Sequence, residues 1–329
     1  MNSIPVILYG LGPIGRGVGR ALAEEPRLQA IGAVDIDTAI IGRRLSEVCD
    51  ADLPSLTVVS SLDETDAKPG AVLLQATVSK LKAARPQLLN AIARGYHVVS
   101  TSEELVWPWD DYPQLAAEID QAAREAGVTV LGIGVNPGFV MDTLPVLLSR
   151  AAGAIEAIHV SRIVDLTERR LQLQRKNGLG QNVDRVQKLL DAEAIGHVGL
   201  TTSLQMLAAG LGWDLDVIDI ESKALTAETP TSTGQIDIHT GQCVGIRQRA
   251  QGFIRGVPRI ILKLVMEANV EGGTRDEVII DGDQCLRLRL DGLHGDLATA
   301  ALIVNQARYV QAMPAGLQTM LSAPLASRT

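Results

Sequence analysis

The stretch Ile4-Pro5-Val6-Ile7-Leu8-Tyr9-Gly10-Leu11-Gly12-Pro13-Ile14-Gly15 decides the fold. An apolar run of strand length passes directly into G-x-G-x-x-G, and Ile14, Val18, Ala21 and Leu22 then recur at helical spacing. Strand, glycine turn and helix in that order make the phosphate-binding corner of a dinucleotide fold. Gly10 allows the tight turn, Gly12 lets backbone approach a pyrophosphate, and Gly15 permits close packing of helix on strand. Pro13 and Ile14 open the helix, whose first amides and dipole favour an anion. Asp35 stands 20 residues beyond Gly15 at the end of a second strand. A carboxylate there accepts hydrogen bonds from ribose hydroxyls and repels a 2′-phosphate, which points to NAD. Arg43 and Arg44 follow and could reach such a phosphate, so NADP is the second candidate cofactor.

Residues 4–9, 30–35, 56–60, 71–75, 96–101 and 128–135 read as six parallel strands separated by helical patterns. One helix is expected from Pro86 to a stop at Gly95, another from Pro113 to a stop at Gly127. Ligands bind at the carboxyl edge of such sheets. Gln75-Ala76-Thr77 and Thr101-Ser102-Glu103-Glu104 end the fourth and fifth strands at that edge, so Ala76 and Thr77 are expected beside the cofactor's reacting end.

After Pro137 the texture changes. A helix is expected at 141–150, strands at 155–164, 214–222, 235–240, 243–253, 259–269 and 284–290, and turns at Gly272-Gly273 and Asp281-Gly282-Asp283. Arg169, Arg170, Gln172 and Gln174 read as a solvated polar face. A helical stretch at 299–310 is expected to return to the first domain. The fold class is therefore α/β: a Rossmann-type doubly wound parallel sheet in residues 1–135 plus about 299–329. A second α+β domain, 136–298, is built on an open, mainly antiparallel sheet.

Composition narrows the function. A chain of 329 residues suggests two domains, and 46% apolar with 21% charged residues excludes disorder. A net charge of −8 without a basic block removes the electrostatic source for nucleic-acid binding. Met1-Asn2-Ser3-Ile4-Pro5 lacks a basic leader, and no apolar run reaches membrane-spanning length. Cys49, Cys243 and Cys285 lack C-x-x-C spacing, which suits a reducing cytoplasm. The five histidines are scattered, so no metal site is expected. None of Tyr9, Tyr96, Tyr112 and Tyr309 is followed by Lys four positions later, and no G-x-S-x-G or P-loop lysine occurs. Hydride transfer without a metal remains.

Two stretches, Ile133-Gly134-Val135-Asn136-Pro137-Gly138-Phe139-Val140-Met141-Asp142 and Val99-Ser100-Thr101-Ser102-Glu103-Glu104-Leu105, resemble 2,4-diaminopentanoate dehydrogenases and related native amine dehydrogenases. Gly196-His197-Val198-Gly199, Gly245-Ile246-Arg247-Gln248 and Thr299-Ala300-Ala301-Leu302-Ile303-Val304-Asn305 extend the resemblance over nearly the whole chain. More distantly the architecture is similar to dihydrodipicolinate reductases.

The resemblance implies an NAD(P)-dependent enzyme that interconverts a primary amine with its ketone or aldehyde plus ammonia. Its catalytic glutamate corresponds to Glu104, with Glu103 the neighbouring alternative. Such a carboxylate would hold the nitrogen, accept its proton and stabilise an iminium ion. Asn136 is expected at the cofactor, Phe139, Val140 and Met141 as a dry wall, and His197 facing the substrate. An open second sheet with one apolar face is expected to pair with a copy of itself as a homodimer. Ser102 departs from the Cys of several relatives. No triple anchor of two acids and a base for diaminopentanoate stands out, so a simpler ketone–amine pair is equally compatible. A cyclic imine reductase and a non-catalytic dinucleotide sensor are the rival readings.

Overall fold

The computed structural model describes residues 3–324. Along the chain come β1 (Ile4–Tyr9), α1 (Pro13–Ala23), β2 (Leu28–Val34), α2 (Leu45–Cys49), β3 (Val72–Gln75), α3 (Leu81–Ala93), β4 (His97–Ser100), α4 (Pro113–Ala126) and β5 (Thr129–Gly132). There follow α5 (Thr143–Ser149), β6 (Ile155–Asp165), α6 (Leu171–Lys176), α7 (Val183–Asp191), α8 (Leu200–Leu211) and β7 (Val217–Thr226). Two short strands, β8 (Thr231–Ser232) and β9 (Asp237–Ile238), precede β10 (Cys243–Ile254), β11 (Val257–Glu267), β12 (Arg275–Gly282) and β13 (Leu286–Asp291). The chain ends with α9 (Gly295–Ala307) and β14 (Gly316–Gln318). It forms two compact units: the chain up to Phe139 with the chain from Gly295 onward, and Val140–His294. No helix among the described residues is long and apolar enough to cross a membrane.

The first unit is a six-stranded sheet in the order β14-β5-β4-β3-β1-β2. Every pairing in it is parallel. Strands covered on both faces must be apolar throughout, and β3 and β5 are buried at every position. Ile7, Leu73, Val98 and Val130 share one cluster with Leu81, Ala84 and Leu88 of α3 and Ala116, Ile119 and Ala123 of α4. In the same unit α1 packs on α9, and α9 on β3 and β4. Strand order reverses between β1 and β3, which places the glycine corner at the switch point where doubly wound sheets bind ligands.

Three expectations are corrected here. Residues 56–60 are not a sheet strand; Val59 makes one bridge to Val34 and Thr57 one to Arg44. The sixth strand is β14, in the tail beyond Pro314, a three-residue edge strand too short to leave an apolar pattern. Pro86 does not start its helix but lies inside α3, because burying Leu81 and Ala84 outweighs the hydrogen bond that proline removes.

The second unit carries a sheet in the order β13-β12-β6-β11-β10-β7. It is mixed: β11 runs parallel to β6 and the remaining pairs are antiparallel. α5 packs on β6 and β12, α8 on β10 and β11, and α7 on β7. β12 escapes the sequence pattern because it opens on Arg275-Asp276-Glu277. Its Asp276 faces the core opposite Arg162 of β6, with Nη1 2.7 Å from Oδ1 and both side chains buried, so a charge occupies an apolar register. Arg169 and Gln174 are also buried rather than solvated. Gln174 Nε2 donates to the carbonyls of Leu166 and Arg169 at 3.0 and 2.8 Å, and its Oε1 accepts from Thr233, which fixes the loop after β6.

Candidate active site

At the glycine corner, Gly10 adopts φ +91°, and a β-carbon there would stand 2.6 Å from the Ala76 carbonyl oxygen. A β-carbon on Gly15 would stand 1.8 Å from the Gly10 carbonyl oxygen, so loop and helix approach as closely as backbone allows. Gly12 is different: nothing lies within 4 Å of its β-carbon position. The space in front of Gly12 is free for a ligand, and the α1 N-terminus behind it has Pro13 in its first turn, no side-chain cap and no acidic residue. An anion is therefore the group that fits. Ile14 is half-buried in the first turn. Asp35 accepts from Leu11 N and, at 2.8 Å, from Asp37 N, so it shapes the loop while each oxygen keeps a second lone pair. Arg43 is exposed and lies 3.9 Å from Glu47.

At the carboxyl ends of β3 and β4 a polar network forms. Ser100 Oγ donates to Gln75 Oε1 at 2.7 Å, and Gln75 Nε2 and Thr77 Oγ1 each donate to Gln87 Oε1 at 2.6 Å. Ala76 N donates to Tyr9 O at 2.8 Å, tying the ends of β3 and β1 together. A short 3₁₀ turn, Glu103–Leu105, follows β4. Glu104 is 7% exposed; its Oε2 accepts from Leu81 N at 2.8 Å and its Oε1 lies 3.0 Å from Lys80 Nζ. Glu104 thus caps α3, whose own N-cap residue, Lys80, offers no side-chain acceptor. Glu103 is half-buried and accepts from Ser79 Oγ at 3.3 Å.

In the second unit His197 is half-buried, and its backbone N–H donates to Gln248 Oε1 at 2.8 Å while Gln248 Nε2 donates to Ser222 Oγ at 3.1 Å. A cavity in the same unit is lined by Asp165, Glu168, Arg169, Thr274 and His294. Val140 and Met141 have no accessible surface, so ordinary packing accounts for them; Phe139 and Asn136 are half-buried.

A family model described as the 2,4-diaminopentanoate dehydrogenase C-terminal domain matches residues 139–328. The chain belongs to the 2,4-diaminopentanoate dehydrogenase family. A 2,4-diaminopentanoate dehydrogenase of Acetoanaerobium sticklandii is 26% identical over 333 residues, covering 99% of this chain and 94% of that one. An amine dehydrogenase of Streptomyces virginiae is 27% identical over 274 residues, covering 80% and 74%. The structure of an amine dehydrogenase from Mycobacterium smegmatis matches with a TM-score of 0.87 at 21% identity, covering 99% and 97%, and shares the fold.

Within this family member, sequence reasoning brought the glycine corner and the two glutamates to one sheet edge but missed Lys80, Ser79 and Gln87. For Ser79 and Lys80 the signal was positional: a Ser-Lys pair in the loop that leaves β3 at its carboxyl edge. It missed the grouping of Arg169 with Asp165 and Glu168 because charged residues at a strand end and in the loop beyond it read as solvated.

Proposed function

We propose that Glu104 carries the nitrogen chemistry of an NAD(P)-dependent amine dehydrogenase. The oxidoreductase class, the cofactor type and action on an amine follow from the family. One observation supports the role of Glu104: its buried carboxylate already holds a primary ammonium, that of Lys80, at 3.0 Å. A carboxylate that binds an alkylammonium binds ammonium in the same way.

The loop at residues 10–15 and Asp35 would hold the dinucleotide, which supplies hydride for reduction and accepts it in oxidation. Ala76, Thr77 and Asn136 are assigned to the nicotinamide side. Ammonium predominates at neutral pH, so Glu104 accepts one proton and releases ammonia as the nucleophile. Ammonia attacks the carbonyl carbon, Glu104 returns its proton to the former carbonyl oxygen, which leaves as water, and the carboxylate so restored faces the iminium cation that results. Carbonyl compound, ammonium and reduced cofactor become amine, water and oxidised cofactor, with protons and charge balanced. His197, held by Gln248, orients the carbonyl; Glu103 supports Glu104 through Ser79. Asp35 favours NAD over NADP.

The second unit is assigned to substrate binding and dimerisation. Two carboxylates and a guanidinium around one cavity suit a substrate that carries a carboxylate and a second amine better than a plain ketone. The sheet face away from the helices carries a row, Arg289–Glu277–Ser161–Lys263–Arg249–Glu221, that holds charges of both signs with little net excess and an opposite-sign pair at each end. Such a row is self-complementary across a two-fold axis, and a homodimer in the cytoplasm is the proposed form.

The test is oxidation of NADH or NADPH with a panel of amino-ketones, amino-keto acids, plain ketones and cyclic imines, with and without ammonium. Turnover that requires ammonium, yields amine by mass and falls at least about a hundredfold in Glu104→Gln is expected. Turnover without ammonium on a cyclic imine would establish the imine reductase instead. Light scattering should return twice the mass of one chain.

A further inference from the structure

We infer that Lys80 is the resident occupant of the nitrogen subsite, and that substrate nitrogen binds by displacing its ammonium from Glu104 Oε1. The inference rests on the assignment of Glu104 above and adds to it what fills the subsite beforehand. Three observations carry it. First, Lys80 Nζ is a primary ammonium 3.0 Å from Oε1, the same functional group in the position that an ammonium ion or amine product requires. Second, Oε2 already takes Leu81 N at 2.8 Å and serves the helix terminus, so Oε1, which holds the ammonium now, is the oxygen better placed for an arriving cation. Third, the Lys80 side chain is 61% exposed while the Glu104 side chain is 8% exposed, so the lysine can leave into water and the glutamate cannot.

Physical chemistry links these points. A buried carboxylate without a cation is costly, so something should neutralise it between turnovers. A solvated lysine does so cheaply, because its long stem keeps most of its hydration and reorients rapidly. Its backbone stays in place while the side chain moves: Ala83 N and Ala84 N both donate to Lys80 O, at 3.1 and 3.0 Å, and Glu104 N donates to Ser79 O at 3.2 Å. Two ammonium groups on one oxygen repel each other, so entry of substrate nitrogen and departure of Lys80 are one exchange of like charge. The neighbouring hydroxyls do not compete for Oε1: Ser79 Oγ donates to Glu103 and Ser102 Oγ to the Ser79 carbonyl.

The decisive variant is Lys80→Met, which keeps the stem and removes the ammonium, with Lys80→Gln as a second neutral replacement. Steady-state kinetics should show the KM for ammonium lowered about three- to tenfold in both, with the KM for NADH and for the carbonyl substrate within about twofold of the parent. Lys80→Arg, whose fork holds a carboxylate more firmly, should raise the KM for ammonium. A readout free of turnover accompanies these: thermal midpoints in methylammonium chloride against sodium chloride at equal ionic strength. Lys80→Met should gain its methylammonium-specific stabilisation at several-fold lower concentration than the parent. An unchanged or raised KM for ammonium in both neutral variants, or identical methylammonium titrations in parent and variant, would overturn the inference. Loss of ammonium-dependent turnover in the parent itself would instead remove the assignment of Glu104, and the methylammonium titration would still report whether Lys80 yields to a cation.

Discussion

The carboxylate of Asp35 accepts the backbone N–H of Leu11, so the acidic end of β2 is tied to the middle of the glycine loop. One side chain therefore fixes the loop and presents acceptors to a ribose. Asp35→Ala should weaken NAD binding by roughly ten- to a hundredfold, since a hydrogen bond to a charged group is worth about 1.5–3 kcal/mol. Asp35→Asn keeps an acceptor without the charge, and should lose less affinity for NAD while narrowing the preference over NADP. Fluorescence titration with each cofactor measures both.

Gly12 and Gly15 separate a ligand constraint from a folding constraint. No described residue opposes a methyl group at Gly12, whereas one at Gly15 meets the Gly10 carbonyl at 1.8 Å. Gly12→Ala should keep the parent's thermal midpoint and lose cofactor affinity. Gly15→Ala should lower the midpoint itself, by several degrees or more. Equal loss of stability in both would contradict a ligand-facing Gly12.

Arg162 and Asp276 pair across β6 and β12 with both side chains almost fully buried. Burial pushes the Asp276 carboxyl above the usual carboxylate range even though Arg162 opposes the shift. Removing one partner leaves a buried charge: Arg162→Ala should cost about 3–5 kcal/mol in urea unfolding. The double change Arg162→Met with Asp276→Leu should recover most of that loss, because an apolar pair suits the core face of the sheet.

His97, at the start of β4, accepts from Thr129 N through Nδ1 at 3.1 Å, which requires the neutral ring. Burial lowers its pKa below the ordinary 6.5. The sign follows: the unfolded chain takes up a proton near pH 6.5 while the folded chain resists. His97 thus contributes stability that is complete above pH 6.5 and declines as pH falls through the lower folded value. Urea midpoints of the parent should fall over that window, and those of His97→Asn, which keeps an acceptor but does not titrate there, should fall less.

Much of the fold is legible locally. Strand, glycine turn and helix are contiguous, so the residues from Ile4 to Gly15 carry the dinucleotide corner without long-range help, and Pro113 and Gly127 bound α4 as helix caps do. Elements that exist only through distant partners are not legible in this way. β14 is a strand because Gly316–Gln318 pairs with β5, from nearly two hundred residues earlier, and β12 is a strand because Arg162 neutralises Asp276.

The same division runs through the candidate site. The sequence by itself determined that glycines, Asp35 and two glutamates stand at the carboxyl ends of parallel strands, because strand alternation and turn chemistry are local properties. Only the tertiary structure decided what each carboxylate touches. It gave Asp35 to Leu11, and Glu104 to Lys80 and the first amide of α3, contacts set by how neighbouring strands align and not by spacing along the chain. Side-chain partners depend on register between strands, and register is fixed only when the sheet is assembled.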